Sequence, residues 1–206
     1  MSMPSIDTVL SQLKAGNERY VNDQVTAEGR DSTRRAELTT GQAPWAIVLS
    51  CADSRVAPEV LFDTGLGELF VVRVAGNVAN PSTIASIEYA VSQLGTKLVV
   101  VLGHEECGAV GATLQQLRLP VPNISPHLES IIEHVRPAFR GLTGPDAEDE
   151  DEGLLERAIR ANVATQTDKL REASTILRKL EQDDGLLIVG ALYSLRTGGV
   201  EFLGGA

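Results

Sequence analysis

The chain has 206 residues, 43% hydrophobic and 22% charged, which is enough for one α/β domain with a full core and leaves little room for two independent ones. Eighteen basic against 28 acidic residues give a formal net charge of −10, and there are only four Phe, three Tyr and one Trp. A phosphate backbone would be repelled and no base-stacking platform is available, so nucleic acid is a poor partner. No stretch reaches the ~20 apolar residues of a membrane span. The first seven residues lack the basic and apolar regions of a signal peptide, so a cytoplasmic chain with reduced thiols is expected.

Residues 7–21 read as a helix, because Val9, Leu10, Leu13, Tyr20 and Val21 recur at helical spacing. Residues 22–42 are polar, irregular or at most a short helix. The run 46–50 (AIVLS) is a short buried strand with Cys51 at its C-terminal end. Residues 56–63 form a short helix that tolerates Pro58 in its first turn. The run 69–73 (LFVVR) is a second strand, 82–94 is a helix, and 97–103 (KLVVVLG) is a third strand with His104 directly after it. Another helix opens near Cys107-Gly108 and ends near Leu117. Residues 124–139 look helical and stop at Gly141, and 154–180 are one long helix or two joined ones. The run 185–192 (GLLIVGAL) is a fourth strand, and a Gly198-Gly199 turn leads to a last short strand at 200–203. The acidic block 146–152 (DAEDEDE) reads as a solvated loop, since adjacent like charges repel and stay hydrated.

Strands alternating with helices predict an α/β fold. The expected architecture is a mainly parallel sheet of four strands plus a short C-terminal edge strand, with helices on both faces and an N-terminal helical arm. Ligands of such sheets gather beyond the strand C-terminal ends. Cys51 and the run His104-Glu105-Glu106-Cys107 both fall there.

Cys51 and Cys107 are the only cysteines. Two thiolates plus one imidazole suit zinc, and three protein ligands leave a tetrahedral ion one open position, as catalytic sites do. His104 and Cys107, three apart, can converge on one ion, and Cys51 closes the site from a neighbouring strand. No second His follows at metalloprotease spacing. Asp53 and Arg55 form a candidate orienting pair, in which Arg55 keeps Asp53 ionised and Asp53 accepts a hydrogen bond from a metal-held hydroxide. Spacing alone leaves a second role open, in which Asp53 binds the ion itself and blocks the fourth position. The Gly108 N–H is a candidate donor to an oxyanion beside the metal. The fragments Gly65-Leu66-Gly67 and Gly108-Ala109-Val110-Gly111 lack the spacing of a nucleotide site, and His127 and His134 read as surface histidines.

Cys51-Ala52-Asp53-Ser54-Arg55 and His104-Glu105-Glu106-Cys107-Gly108 together resemble the β-class carbonic anhydrases. The likeness extends through 16–20, 65–73, Ala75-Gly76-Asn77, 87–91 and Gly199-Val200-Glu201, nearly the whole chain. It implies a zinc lyase: reversible hydration of carbon dioxide to bicarbonate and a proton by zinc-bound hydroxide, with one zinc per subunit. It implies Cys51, His104 and Cys107 as zinc ligands and Asp53 and Arg55 as the catalytic pair. Gln42, Phe70, Ala75, Tyr89 and Gly108 would surround the substrate. It also implies one domain over 1–206 whose first 40 residues form an arm packing on a partner subunit. Each pocket is then completed by its neighbour in a homodimer or homotetramer. Val48 stands where the branch with a noncatalytic bicarbonate site carries Trp, and Gly41-Gln42-Ala43-Pro44 resembles the plant-type branch, so the open-site branch is favoured. Ala75 replaces the plant-type pocket Val, and Gln93 replaces the shuttle His. The same scaffold and ligands would also suit hydrolysis of carbonyl sulfide or carbon disulfide, whereas a purely structural zinc module would not need the Asp53–Arg55 pair.

Overall fold

The computed structural model describes residues 4–120, 122–142 and 153–204; the acidic block 146–152 lies outside them. Among the described residues five strands form one sheet: β1 (Ala46–Ser50), β2 (Leu69–Arg73), β3 (Leu98–His104), β4 (Leu187–Tyr193) and β5 (Val200–Leu203), in the order β2-β1-β3-β4-β5. β1 pairs in parallel with β2 and β3, and β3 with β4, while β5 runs antiparallel along β4. The expected α/β architecture is therefore present. Every residue of β1 and β3 is buried, as β-branched and leucine-rich runs are when both sheet faces are covered.

The helices supply that cover. On one face α1 (Ile6–Val21) and α3 (Pro58–Leu61) place Val9, Leu10, Leu13 and Leu61 against Ala46, Val48, Val100 and Ala191. On the other, α4 (Pro81–Gln93), α7 (Leu154–Ala173) and α8 (Thr175–Asp183) place Ile87, Val163, Leu170 and Leu177 against Ile47, Leu49, Val99 and Val101. Each such side chain contributes about 1.5–3 kcal/mol by leaving water. A third apolar cluster includes residues of α5 (Gly108–Arg118), α6 (Pro126–Val135) and α7 and encloses Cys51 and Cys107. The remaining helix, α2 (Ser32–Glu37), is a short piece in the polar stretch 22–42, capped by the Asp31 side chain.

Several boundaries differ from the sequence reading by a few residues, and packing or backbone chemistry explains the main ones. His104 is the last residue of β3, paired with Tyr193, rather than the residue after the strand. Gly103 looks like a strand terminator, yet it lies inside because α7 crosses there: a Cβ on Gly103 would sit 2.4 Å from Val163 Cγ2. The run 154–180, open between one long helix and two joined ones, is two helices, broken at Ser174, whose extended backbone leaves the helix and whose side chain accepts from the Leu177 N–H to cap α8. The run 124–139 starts only at Pro126 and ends as a 3-10 turn over Arg136–Phe139. Pro137 has no N–H to continue the α ladder.

The N-terminal arm is tied to the body by polar groups. Buried Asp63 accepts from Arg19 Nε at 2.7 Å, Thr26 N at 3.0 Å, Thr26 Oγ1 at 3.1 Å and Ala27 N at 3.1 Å. Burial alone would raise this carboxyl, but the donors from Thr26, Arg19 and Ala27 prevail and lower it to about 2. Asn17 adds a second tie, donating to the Leu61 and Gly198 carbonyls and accepting from the Val200 N–H.

Candidate metal centre

Cys51 follows β1, His104 ends β3 and Cys107 is the N-cap of α5, so adjacent parallel strands deliver all three to one end of the sheet. Their donor atoms all lie within 4.8 Å of one another, and all three residues are buried. The left-handed backbone of Glu106, at φ 52°, turns the chain between His104 and Cys107. His104 Nδ1 lies 2.7 Å from the Glu105 carbonyl, to which it can only donate. That bond fixes the tautomer and leaves the lone pair on Nε2. Nε2 is buried and has no hydrogen-bond partner among the described residues. A buried orphan nitrogen costs free energy, and a metal ion would satisfy it. Two sulfurs and an unpartnered imidazole nitrogen in one apolar nest thus fit a metal site, and the donor set fits zinc.

The two neighbouring sulfurs shift each other in opposite directions. Cys51 is drawn well below the ordinary thiol range, first by Cys107, with His104 and the backbone N–H groups of Asp53 and Gly76 helping against burial. Cys107 is pushed up, first by Cys51 and then by burial. Gly76 N–H donates to Cys51 Sγ at 3.3 Å.

Asp53 stands beside the ligands, its Oδ2 being 3.9 Å from His104 Nε2. Arg55 grips it with a fork: Nε to Oδ1 at 2.9 Å and Nη2 to Oδ2 at 2.7 Å, while the Arg55 N–H also reaches Oδ1 at 3.0 Å. This bond from Arg55 is the main reason the carboxyl is held far below the usual carboxylate range. Arg55 Nη2 also donates to the Glu106 carbonyl at 3.3 Å, so one guanidinium ties both ligand loops together.

The structure brings some of the other candidates here and places others elsewhere. Ala75 lies in the turn Ala75–Asn77 that contacts Cys51, and Gly108 directly follows Cys107. A Cβ on Gly108 would meet no atom within 4 Å, so packing within the chain does not demand glycine there. Gln42 is exposed and lies before β1, at the opposite end of the strand from Cys51; those five residues span about 16 Å. Phe70 pairs with Ile47 near the start of β2 and stacks on Tyr89 at 6.3 Å between ring centroids, with Tyr89 51% exposed. Gln42 and Phe70 thus lie toward the end of β1 away from Cys51, and Tyr89 lies beside Phe70.

Sequence reasoning missed Arg73 as a site residue. Its guanidinium donates to the Cys51 carbonyl at 3.1 Å and the Asp53 carbonyl at 2.7 Å, holding the loop that carries both. A charge closing the apolar run LFVV was the available signal.

Comparison with known proteins agrees with this geometry. The family model described as carbonic anhydrase matches residues 46–200. A carbonic anhydrase of Mycolicibacterium smegmatis is 41% identical over 204 residues, covering 97% of this chain and 95% of that protein. Among solved structures, the β-carbonic anhydrase CcaA superposes with a TM-score of 0.75 at 25% identity, covering 97% of this chain and 93% of the other. The Coccomyxa β-carbonic anhydrase in complex with acetazolamide superposes with a TM-score of 0.71 at 30% identity, covering 94% and 86%. The chain belongs to the carbonic anhydrase family and to its β class.

Proposed function

We propose that the protein is a zinc-dependent carbonic anhydrase of the open-site, plant-type branch, hydrating carbon dioxide reversibly to bicarbonate and a proton. One observation carries the reading: three buried donors, two sulfurs and an orphan imidazole nitrogen, meet beside a carboxylate that Arg55 already holds. Cys51, His104 and Cys107 would hold the ion. When bound, zinc supplies the acidity that lets water act as a nucleophile near neutral pH. Asp53 stays ionised and accepts a hydrogen bond from that nucleophile, fixing its direction. Because both Asp53 oxygens are engaged by Arg55, the carboxylate serves as an orienting group and leaves the fourth position open. The Gly108 N–H faces the developing bicarbonate oxygens, and the missing side chain leaves room for them.

Gln42, Phe70, Tyr89 and Ala75 complete the substrate pocket. Gln42 and the two rings serve a neighbouring subunit, because their own chain holds them away from its metal ligands. This requires a homodimer or homotetramer, with residues 1–40 as an arm against the partner. Val21, Val25, Val60, Leu66 and Tyr89 are among the exposed apolar residues of the described chain and are available for that contact. Both cysteines are free, and no described helix is long and apolar enough to cross a membrane, which fits a cytoplasmic enzyme.

Metal removal tests the reading. Dialysis against a zinc chelator should abolish stopped-flow hydration of carbon dioxide, and zinc should restore it. Full activity in protein shown to be metal-free would count against the proposal.

A further inference from the structure

We infer that Asn162 and Gln166 on α7 are positioning residues for the metal centre, acting through the Ala75–Asn77 turn on the sulfur of Cys51; the inference rests on the zinc reading above. Both amides are buried, Asn162 at 1% and Gln166 at 0% exposure. They stand one helical turn apart, on a buried face shared with Val163 and Leu170. An α-helix needs neither amide for its own backbone, and buried amides are costly unless every polar group is engaged.

Here they are engaged with one another and with the turn. Asn162 Nδ2 donates to the Gly76 carbonyl at 3.0 Å. Gln166 Nε2 donates to Asn162 Oδ1 at 2.9 Å, which fixes the Asn162 amide, and to the His134 carbonyl at 3.0 Å. Gln166 Oε1 accepts from the Ala79 N–H at 2.9 Å, just past the turn. The turn is thus held at Gly76 and at Ala79 by one helix.

Gly76 is the residue whose N–H donates to Cys51 Sγ. Its φ of 71° is a conformation few other residues adopt, and a Cβ there would press on Ala109 and Val135 at 3.2 Å each. Glycine permits the conformation but does nothing to hold it. The Asn162 amide supplies the hold from the carbonyl side, which keeps the N–H aimed at the sulfur. α7 can reach this far because Gly103 and Gly190 admit Val163 against the sheet; a Cβ would come within 2.4 Å and 2.8 Å of it. A hydrogen bond onto a ligating sulfur sets its orientation and its charge donation to the metal, and partners of this kind commonly change metal affinity or activity 10–100-fold, to order of magnitude.

The test follows metal retention and spectrum rather than turnover. Zinc is stripped from purified holoenzyme by excess chelator and its release timed, and protein loaded with cobalt alone is scanned for thiolate-to-metal charge-transfer bands. Asn162→Leu keeps the branched shape and removes the donor; zinc should leave at least about tenfold faster, and the cobalt bands should shift. Gln166→Leu should act in the same direction. Leu177→Ala opens a cavity in the core at α8, away from the turn, and should lower stability without either effect. If Asn162→Leu does not fold, Asn162→Ser, polar but too short to reach Gly76, carries the same expectation. Release and bands that match the wild type, or that change only as Leu177→Ala changes them, overturn the inference. A wild type that retains no zinc would instead overturn the zinc reading.

Discussion

Arg55 does two jobs at once: it locks Asp53 with a planar fork and holds the Glu106 carbonyl 51 positions away. A lysine would keep the charge but not the fork. Arg55→Lys should therefore keep its zinc while losing turnover about 10–100-fold, the usual cost of removing an orienting partner. Zinc analysis beside stopped-flow hydration checks both halves; wild-type turnover would remove Asp53 orientation from the account. The three ligand candidates were legible in sequence because thiols and imidazoles are scarce in this chain and few other roles suit them there. Arg73 and Gly76 were not. Arg73 showed only as a charge closing the run LFVV, because its partners are backbone carbonyls, and the Gly76 N–H is backbone itself.

At the scale of elements, short apolar runs revealed β1, β2 and β5 to the residue: AIVLS and LFVVR each end on their first polar residue, and VEFL lies between glycines. The end of β3 and the break at Ser174 were hidden because tertiary packing decides them: Gly103 serves the passage of α7, and Ser174 caps a new helix. The anchoring of α1 is equally tertiary, since Asp63 gathers donors from Arg19, Thr26 and Ala27. Its folded value, lowered to about 2, lies below that of an unfolded Asp, so its stabilisation is full above pH about 4 and is lost as pH falls towards 2. Trp45 lines the same cavity as Asp63 and Arg19 and reports on the arm by fluorescence. Asp63→Asn should weaken the protein at neutral pH and flatten its pH dependence between about 4 and 2. An Asp63→Asn curve parallel to wild type would show that the anchor lies elsewhere.

For the whole molecule, strand direction carries the main consequence. β1 runs from the Gln42 side to Cys51, so one chain cannot bring its own Gln42 to its own Cys51–His104–Cys107 cluster. Sequence order already implied this, since Gln42 precedes the strand 46–50 and Cys51 follows it. If neighbours complete each site, mixing two defective chains should rescue activity. Gln42→Ala and Cys107→Ala, each impaired alone, should together form mixed oligomers with working sites. No recovery in a mixture shown to contain mixed oligomers would show that Gln42 does not serve the neighbour's site.

On the proposed reading the Cys51–His104–Cys107 cluster holds the zinc that carbon dioxide hydration requires. Zinc content and stopped-flow hydration measured together on the wild type and on Cys107→Ala test it most directly. The wild type should carry about one zinc per chain and hydrate rapidly, since three protein ligands with one open position define such a site, and a Cys107→Ala protein that still folds should lose both. A zinc-free Cys107→Ala variant with undiminished hydration, or a zinc-loaded wild type with none, would contradict it.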